Sequence, residues 1–167
     1  MTRGPGMIGP THPDPNAMTA DPSPADQVYL TAFRGSFISA LRWPQLDGLW
    51  DALRGQAGGD WYVYAVGEPP PQVPATRDRL LTFVAEIDRL LRAEHDEDYC
   101  GIVYADDLAH PGFIKIYDPH HLGAVCGSSA NPPLPGWVLS RLKPCDLPAS
   151  RVPTGARRRW WQRLFGD

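Results

Sequence analysis

The residues best suited to chemistry in this 167-residue chain lie close together: Asp118, His120, His121 and Cys126, within the stretch GFIKIYDPHHLGAVCGSS. Imidazole, thiolate and carboxylate are zinc-type ligands, and Cys100 or Cys145 could join them from elsewhere in the fold. A site needs three or four such groups to converge at about 2.0 to 2.3 Å. A thiol enzyme is the other chemistry these residues allow. Cys126 would be the nucleophile, His120 or His121 its base, and the backbone after Gly127 an oxyanion pocket. Neither CxxC nor HxxxH spacing is present, and adjacent histidines on an extended chain point apart.

Folding alone accounts for most of the stretch. Asp118-Pro119 starts a turn, because the Asp side chain bonds the backbone ahead and Pro fixes φ. Leu122 and Val125 suit a core, and Cys126 can serve there as a small hydrophobe. The pair Asp106-Asp107 ends a strand and leads into a loop with His110; such a pair can serve acid/base chemistry or bind a divalent ion, but an Asp at a strand end more often starts a turn.

The elements that must position these residues follow from periodicity. In ATRDRLLTFVAEIDRLLRAEHDED, Leu80, Phe83, Val84, Ile87, Leu90 and Leu91 recur every three or four residues. This predicts a long amphipathic helix over about 76–94, capped by Thr76. WPQLDGLWDALRG predicts a short helix over about 45–54, with Leu46, Leu49, Trp50 and Leu53 on one face and Gly55 at its end. YCGIVYADD and FIKIYD, separated by LAHPG, predict an antiparallel hairpin, with Ile114 and Ile116 facing one way and Phe113, Lys115 and Tyr117 the other. WYVYAV at 61–66 and GWVLSRL at 136–142 read as further strands. In QVYLTAFRGSFISALR, Val28, Leu30 and Ala32 alternate like a strand while Phe33, Phe37, Ala40 and Leu41 space like a helix; the favoured reading is a strand that turns at Gly35. The order strand, helix, strand, helix, hairpin, strand predicts a small α+β fold: a mostly antiparallel sheet of four to five strands with the two helices packed on it.

Composition sets the rest of the frame. Residues 1–26 are Pro-rich and polar, with too little bulky apolar surface to repay ordering, and are expected to be disordered; Met7 and Met18 offer alternative starts. Residues 27–148 are expected to form one domain and 149–167 a basic aromatic tail. No apolar run reaches the roughly 18 residues of a membrane span, and no secretory h-region is seen. With only three, widely spaced cysteines, free thiols in the cytoplasm are expected. Of 16 basic residues, 5 fall in the last 19 beside a single acid, so a body of net −7 carries a tail of net +4. An acidic body argues against a domain-wide nucleic-acid surface.

QLDGLWDAL, residues 45–53, resembles the recognition helix of barstar-type ribonuclease inhibitors, whose LD-x-LWD-x-L pattern presents acids to a basic active site. The resemblance spans nine residues. It implies a strand and a full helix ahead of this segment, and a partner-facing role for Asp47 and Asp51. Four residues apart, these lie on one helical face.

The tail, GARRRWWQRLFGD, clusters Trp160, Trp161, Leu164 and Phe165 on a helix with arginines around them. A basic amphipathic segment can dock in a protein groove, lie weakly on an anionic membrane or stack on single-stranded nucleic acid; the plainer alternatives are that its aromatics fold back onto the body or that it is unstructured. The expectation is therefore a cytoplasmic accessory or interaction protein without catalytic activity or cofactor. Its contacts would come from the 106–135 loop surface and from Arg157, Arg158, Arg159, Trp160, Trp161, Arg163 and Phe165 of the tail. The alternatives are a metal or thiol site at Cys126, His120 and His121, and a barstar-like nuclease inhibitor.

Overall fold

The computed structural model describes residues 21–120, 134–147 and 155–166. Helix α1 (Pro24–Phe33) leads into a two-residue strand β1 (Ile38–Ser39) and helix α2 (Trp43–Gly55). Strand β2 (Tyr62–Ala65) and helix α3 (Arg77–Glu94) follow, then β3 (Val103–Ala105), β4 (Phe113–Ile116), β5 (Trp137–Ser140) and helix α4 (Gly155–Phe165). The five strands form one sheet, ordered β1-β3-β4-β5-β2, with every pairing antiparallel. The predicted α+β fold, its two helices on the sheet and its hairpin are all present.

Strand alternation gives the sheet two buried faces. Val63, Ala65, Val103, Ala105, Ile114, Ile116, Trp137 and Leu139 line the larger core, where the apolar stripes of α2 and α3 pack. Tyr64, Val66, Phe113 and Val138 line the smaller core beneath α1, which Leu147 also joins. The stripes read from sequence are the buried ones: Leu46, Leu49, Trp50 and Leu53 on α2, and Leu80, Phe83, Val84, Ile87, Leu90 and Leu91 on α3. Thr76 caps α3 as expected, its hydroxyl accepting from the Arg79 N–H at 3.3 Å.

Three sequence expectations change. The segment read as a strand through Val28, Leu30 and Ala32 is helix α1. Its cause lies just upstream, where Ser23 and Asp26 form a reciprocal capping box, each backbone N–H bonded to the other's side chain at 3.2 Å. Tyr29 and Phe33, four apart, then meet Phe113 of the sheet. The helix begins at Pro24, so part of the expected disordered segment is structured; residues 1–20, with Met7 and Met18, lie outside the described residues. Strand β3 is also shorter than YCGIVYADD implied. Gly101 adopts φ +68°, and a Cβ there would sit 3.1 Å from the Tyr99 ring, so the chain bends before Val103.

Helix α4 packs on the body. Trp160, Trp161 and Phe165 surround the Phe83 ring of α3, with centroids 6.1 to 6.2 Å away. Trp160 also meets Trp137 of β5 at 5.6 Å and is buried. The aromatic stripe of the tail therefore completes the larger core.

Candidate functional site

Asp118 follows β4, and Arg157 reaches it from the first turn of α4. Both guanidinium bonds to the carboxylate are 2.8 Å, from Nε to Oδ2 and from Nη2 to Oδ1. Asp118 Oδ1 also accepts from the His120 N–H at 2.9 Å, the turn-starting bond expected of an Asp-Pro pair. Arg157 continues to Glu94 at the end of α3 through Nη1, at 3.0 Å from Oε1, and through Nη2. The Asp118 and Arg157 side chains are only 5% and 12% exposed. Hydrogen bonding to Asp118, reinforced by Glu94, raises the guanidinium's pKa further above its ordinary value despite burial. This arginine stays charged and clamps α3, α4 and the start of the β4–β5 connection together.

The clamp answers part of the metal expectation. Asp118 spends its lone pairs on Arg157 and His120, and His120 is exposed at the turn. Among the described residues no cluster of three His, Cys, Asp or Glu could hold a metal. His121 and Cys126 lie outside the described residues, as does the stretch 121–133 of the expected 106–135 contact surface. Of the other thiols, Cys100 is buried and Cys145 half-buried, both free, and burial pushes both thiols up, away from the thiolate a nucleophile or ligand requires.

The described part of the hairpin loop is closed on itself. Asp106 Oδ1 accepts from the N–H groups of Asp107, Gly112 and Phe113, between 2.9 and 3.1 Å. Asp107 Oδ1 accepts from Ala109 and His110, and these bonds hold its carboxyl below the usual range. Both acids thus build the turn, each with one oxygen, Oδ1, committed to backbone donors.

Asp47 and Asp51 stand on the exposed face of α2, at 61% and 77% side-chain exposure. Each has a basic neighbour. Arg92 of α3 bonds Asp47 at 2.6 Å, and Arg54 bonds Asp51 at 3.0 Å. Arg92 also chelates Asp88 and lies over the Trp43 ring. The face is therefore an interleaved charge network, with little of the unopposed negative field that draws a basic enzyme. The elements ahead of α2 are a helix and then a two-residue strand, the reverse of the order the barstar resemblance implies.

On α4 the two sides have different chemistry. Arg157, Trp160, Trp161, Leu164 and Phe165 turn towards the body, while Arg158, Arg159, Gln162 and Arg163 are exposed. Arg158 approaches Glu68 at 3.7 Å. Among the described residues no carboxylate lies within ion-pair distance of Arg159 or Arg163. These two stand one turn apart beside a shallow depression lined by Ala156, Arg159, Trp160, Gln162 and Arg163.

A residue that the sequence pattern placed but gave no role is Lys115, on central strand β4, whose ammonium sits over two phenylalanine rings. The available signal was a lysine in the middle of an apolar strand. No family model matches this chain, and neither a curated protein nor a solved structure matches it.

Proposed function

We propose that this chain is a non-catalytic cytoplasmic interaction protein that takes an acidic segment of a partner protein on the outer face of α4. The observation that carries this reading is the pair Arg159 and Arg163, exposed one turn apart and without a carboxylate among the described residues. Arg158 and Gln162 extend the same face with further donors.

The side chains available outside favour a protein over other anions. Interfacial binding to a membrane needs the apolar stripe to enter the lipid, and here that stripe is packed on Phe83 and Trp137. Stacking on single-stranded nucleic acid needs open aromatic faces, and Trp160 is buried. A compact basic face on a body of net −7 suits a short acidic peptide, since a larger polyanion would meet the repelling body.

The test is a calorimetric titration of the full chain with a Glu- and Asp-rich decapeptide at low salt, beside anionic vesicles and a single-stranded oligonucleotide. Peptide affinity should fall at least about tenfold in Arg159→Glu/Arg163→Glu, as expected when charge contacts become repulsive. Unchanged peptide affinity in that variant, or preferential binding of vesicle or oligonucleotide, contradicts the proposal.

A further inference from the structure

Lys115 occupies the middle strand of the five-stranded sheet, on the face that α1 covers. Lysine is uncommon in such a place, because its charge loses water there and a central strand favours β-branched and aromatic side chains. The chain has two lysines against fourteen arginines, and the other, Lys143, is exposed. The ammonium of Lys115 lies 4.1 Å from the Phe33 ring centroid and 4.0 Å from that of Phe37. Phe113, two residues back on the same face, packs its ring against both, at 6.3 and 5.7 Å.

Aromatic faces attract a cation but do not neutralise it. Among the described residues Lys115 has no ion-pair partner and no hydrogen-bond acceptor. Burial alone pulls its pKa below the ordinary lysine value, with no carboxylate to restore it. Lys115 is thus a half-buried cation without a counter-charge among the described residues, the situation in which an incoming anion gains most.

The surroundings say what kind of anion. In the strand register Lys115 stands beside Tyr104 of β3 and Val138 of β5, and the Tyr104 ring packs against Tyr117 at 5.6 Å. Phe33, Phe37, Tyr104, Lys115 and Tyr117 are all partly exposed, so rings border the cation on an accessible part of the face. We propose that Lys115, with Phe33, Phe37 and Tyr104 around it, binds a small aromatic carboxylate. The carboxylate pairs with the ammonium and the ligand ring packs on the aromatic side chains. This site lies on the opposite face of the sheet from α4 and stands or falls independently of the interaction surface proposed there.

The experiment is an NMR titration of the 15N-labelled full chain with benzoate, and with acetate and benzamide as probes that keep only the charge or only the ring. Benzoate should give saturable shifts at the amides of Phe33, Phe37 and Lys115, with acetate and benzamide each at least about tenfold weaker, the loss expected for one missing half of the recognition. Lys115→Met should abolish the benzoate shifts. Phe37→Ala keeps the cation, and so covers the case in which Lys115→Met fails to fold; it should weaken benzoate several-fold and leave acetate unchanged. Equal affinity for acetate or benzamide, benzoate binding that survives Lys115→Met, or no saturable shift with benzoate overturns the proposal.

Discussion

Two tyrosines of the smaller core share a setting and differ in the hydrogen bonds of their hydroxyls. Tyr64 Oη accepts from the Leu147 N–H at 3.2 Å, fixing the segment after β5 to the sheet, and lies 3.5 Å from Asp146. Tyr29 Oη is buried and has no hydrogen-bond partner among the described residues. Tyr64→Phe should therefore cost about 1–2 kcal/mol in urea denaturation, by orphaning a buried N–H, whereas Tyr29→Phe should be neutral or stabilising. The ion cluster divides in the same way. Arg157→Ala leaves Asp118 buried and uncompensated, at an expected cost of about 3–5 kcal/mol. Glu94, 43% exposed, should cost under about 1 kcal/mol when changed to Ala. The turn role of Asp118 was legible in the sequence because an Asp-Pro pair acts locally. Its partner is 39 residues away, and no local pattern announces a pairing across that distance. The acids of the hairpin loop were read from sequence as turn formers before ligands, and their backbone donors agree: Asp106 and Asp107 each close the loop through Oδ1.

Among the elements, α3 was the easiest to recognise, because eighteen residues repeat a single apolar stripe with a cap ahead of it. Helix α1 was misread because three alternating apolar residues imitated a strand while the deciding Ser-Pro-Ala-Asp sequence lay in a segment assigned to disorder. Ser23→Ala should lower stability by about 1 kcal/mol, the usual worth of such a cap. For α4 the amphipathic pattern was plain, but a stripe looks the same whether it meets a partner or the chain's own core. The neighbours of Trp160 decide between these. Trp160→Ala should cost about 3–5 kcal/mol in urea denaturation. A truncation before residue 155 should be less stable than the full chain, since it uncovers Phe83 and Trp137. A truncated protein as stable as the full chain would mean that α4 does not dock.

At the scale of the whole molecule, the sheet separates two regions of different character. One face carries α2, α3 and α4 over the larger core, with an arginine face left outside; the other carries α1 and the aromatic residues around Lys115. Overall acidity was legible from composition, but the distribution of unpaired charge was not. Asp47 and Asp51 look like a free acidic pair in sequence and are interleaved with Arg92 and Arg54 in the fold, while Arg159 and Arg163 meet no carboxylate among the described residues. Binding of an acidic peptide should accordingly weaken as salt rises, because exposed charges are screened within about 8 Å at physiological ionic strength. The most direct test of this account is a map of amide shifts across the labelled full chain during titration with the acidic decapeptide. The account predicts saturable shifts concentrated in residues 155–166 and absent from Arg159→Glu/Arg163→Glu. Shifts centred instead on the α2 face or the 106–112 loop, or identical in that variant, would contradict it.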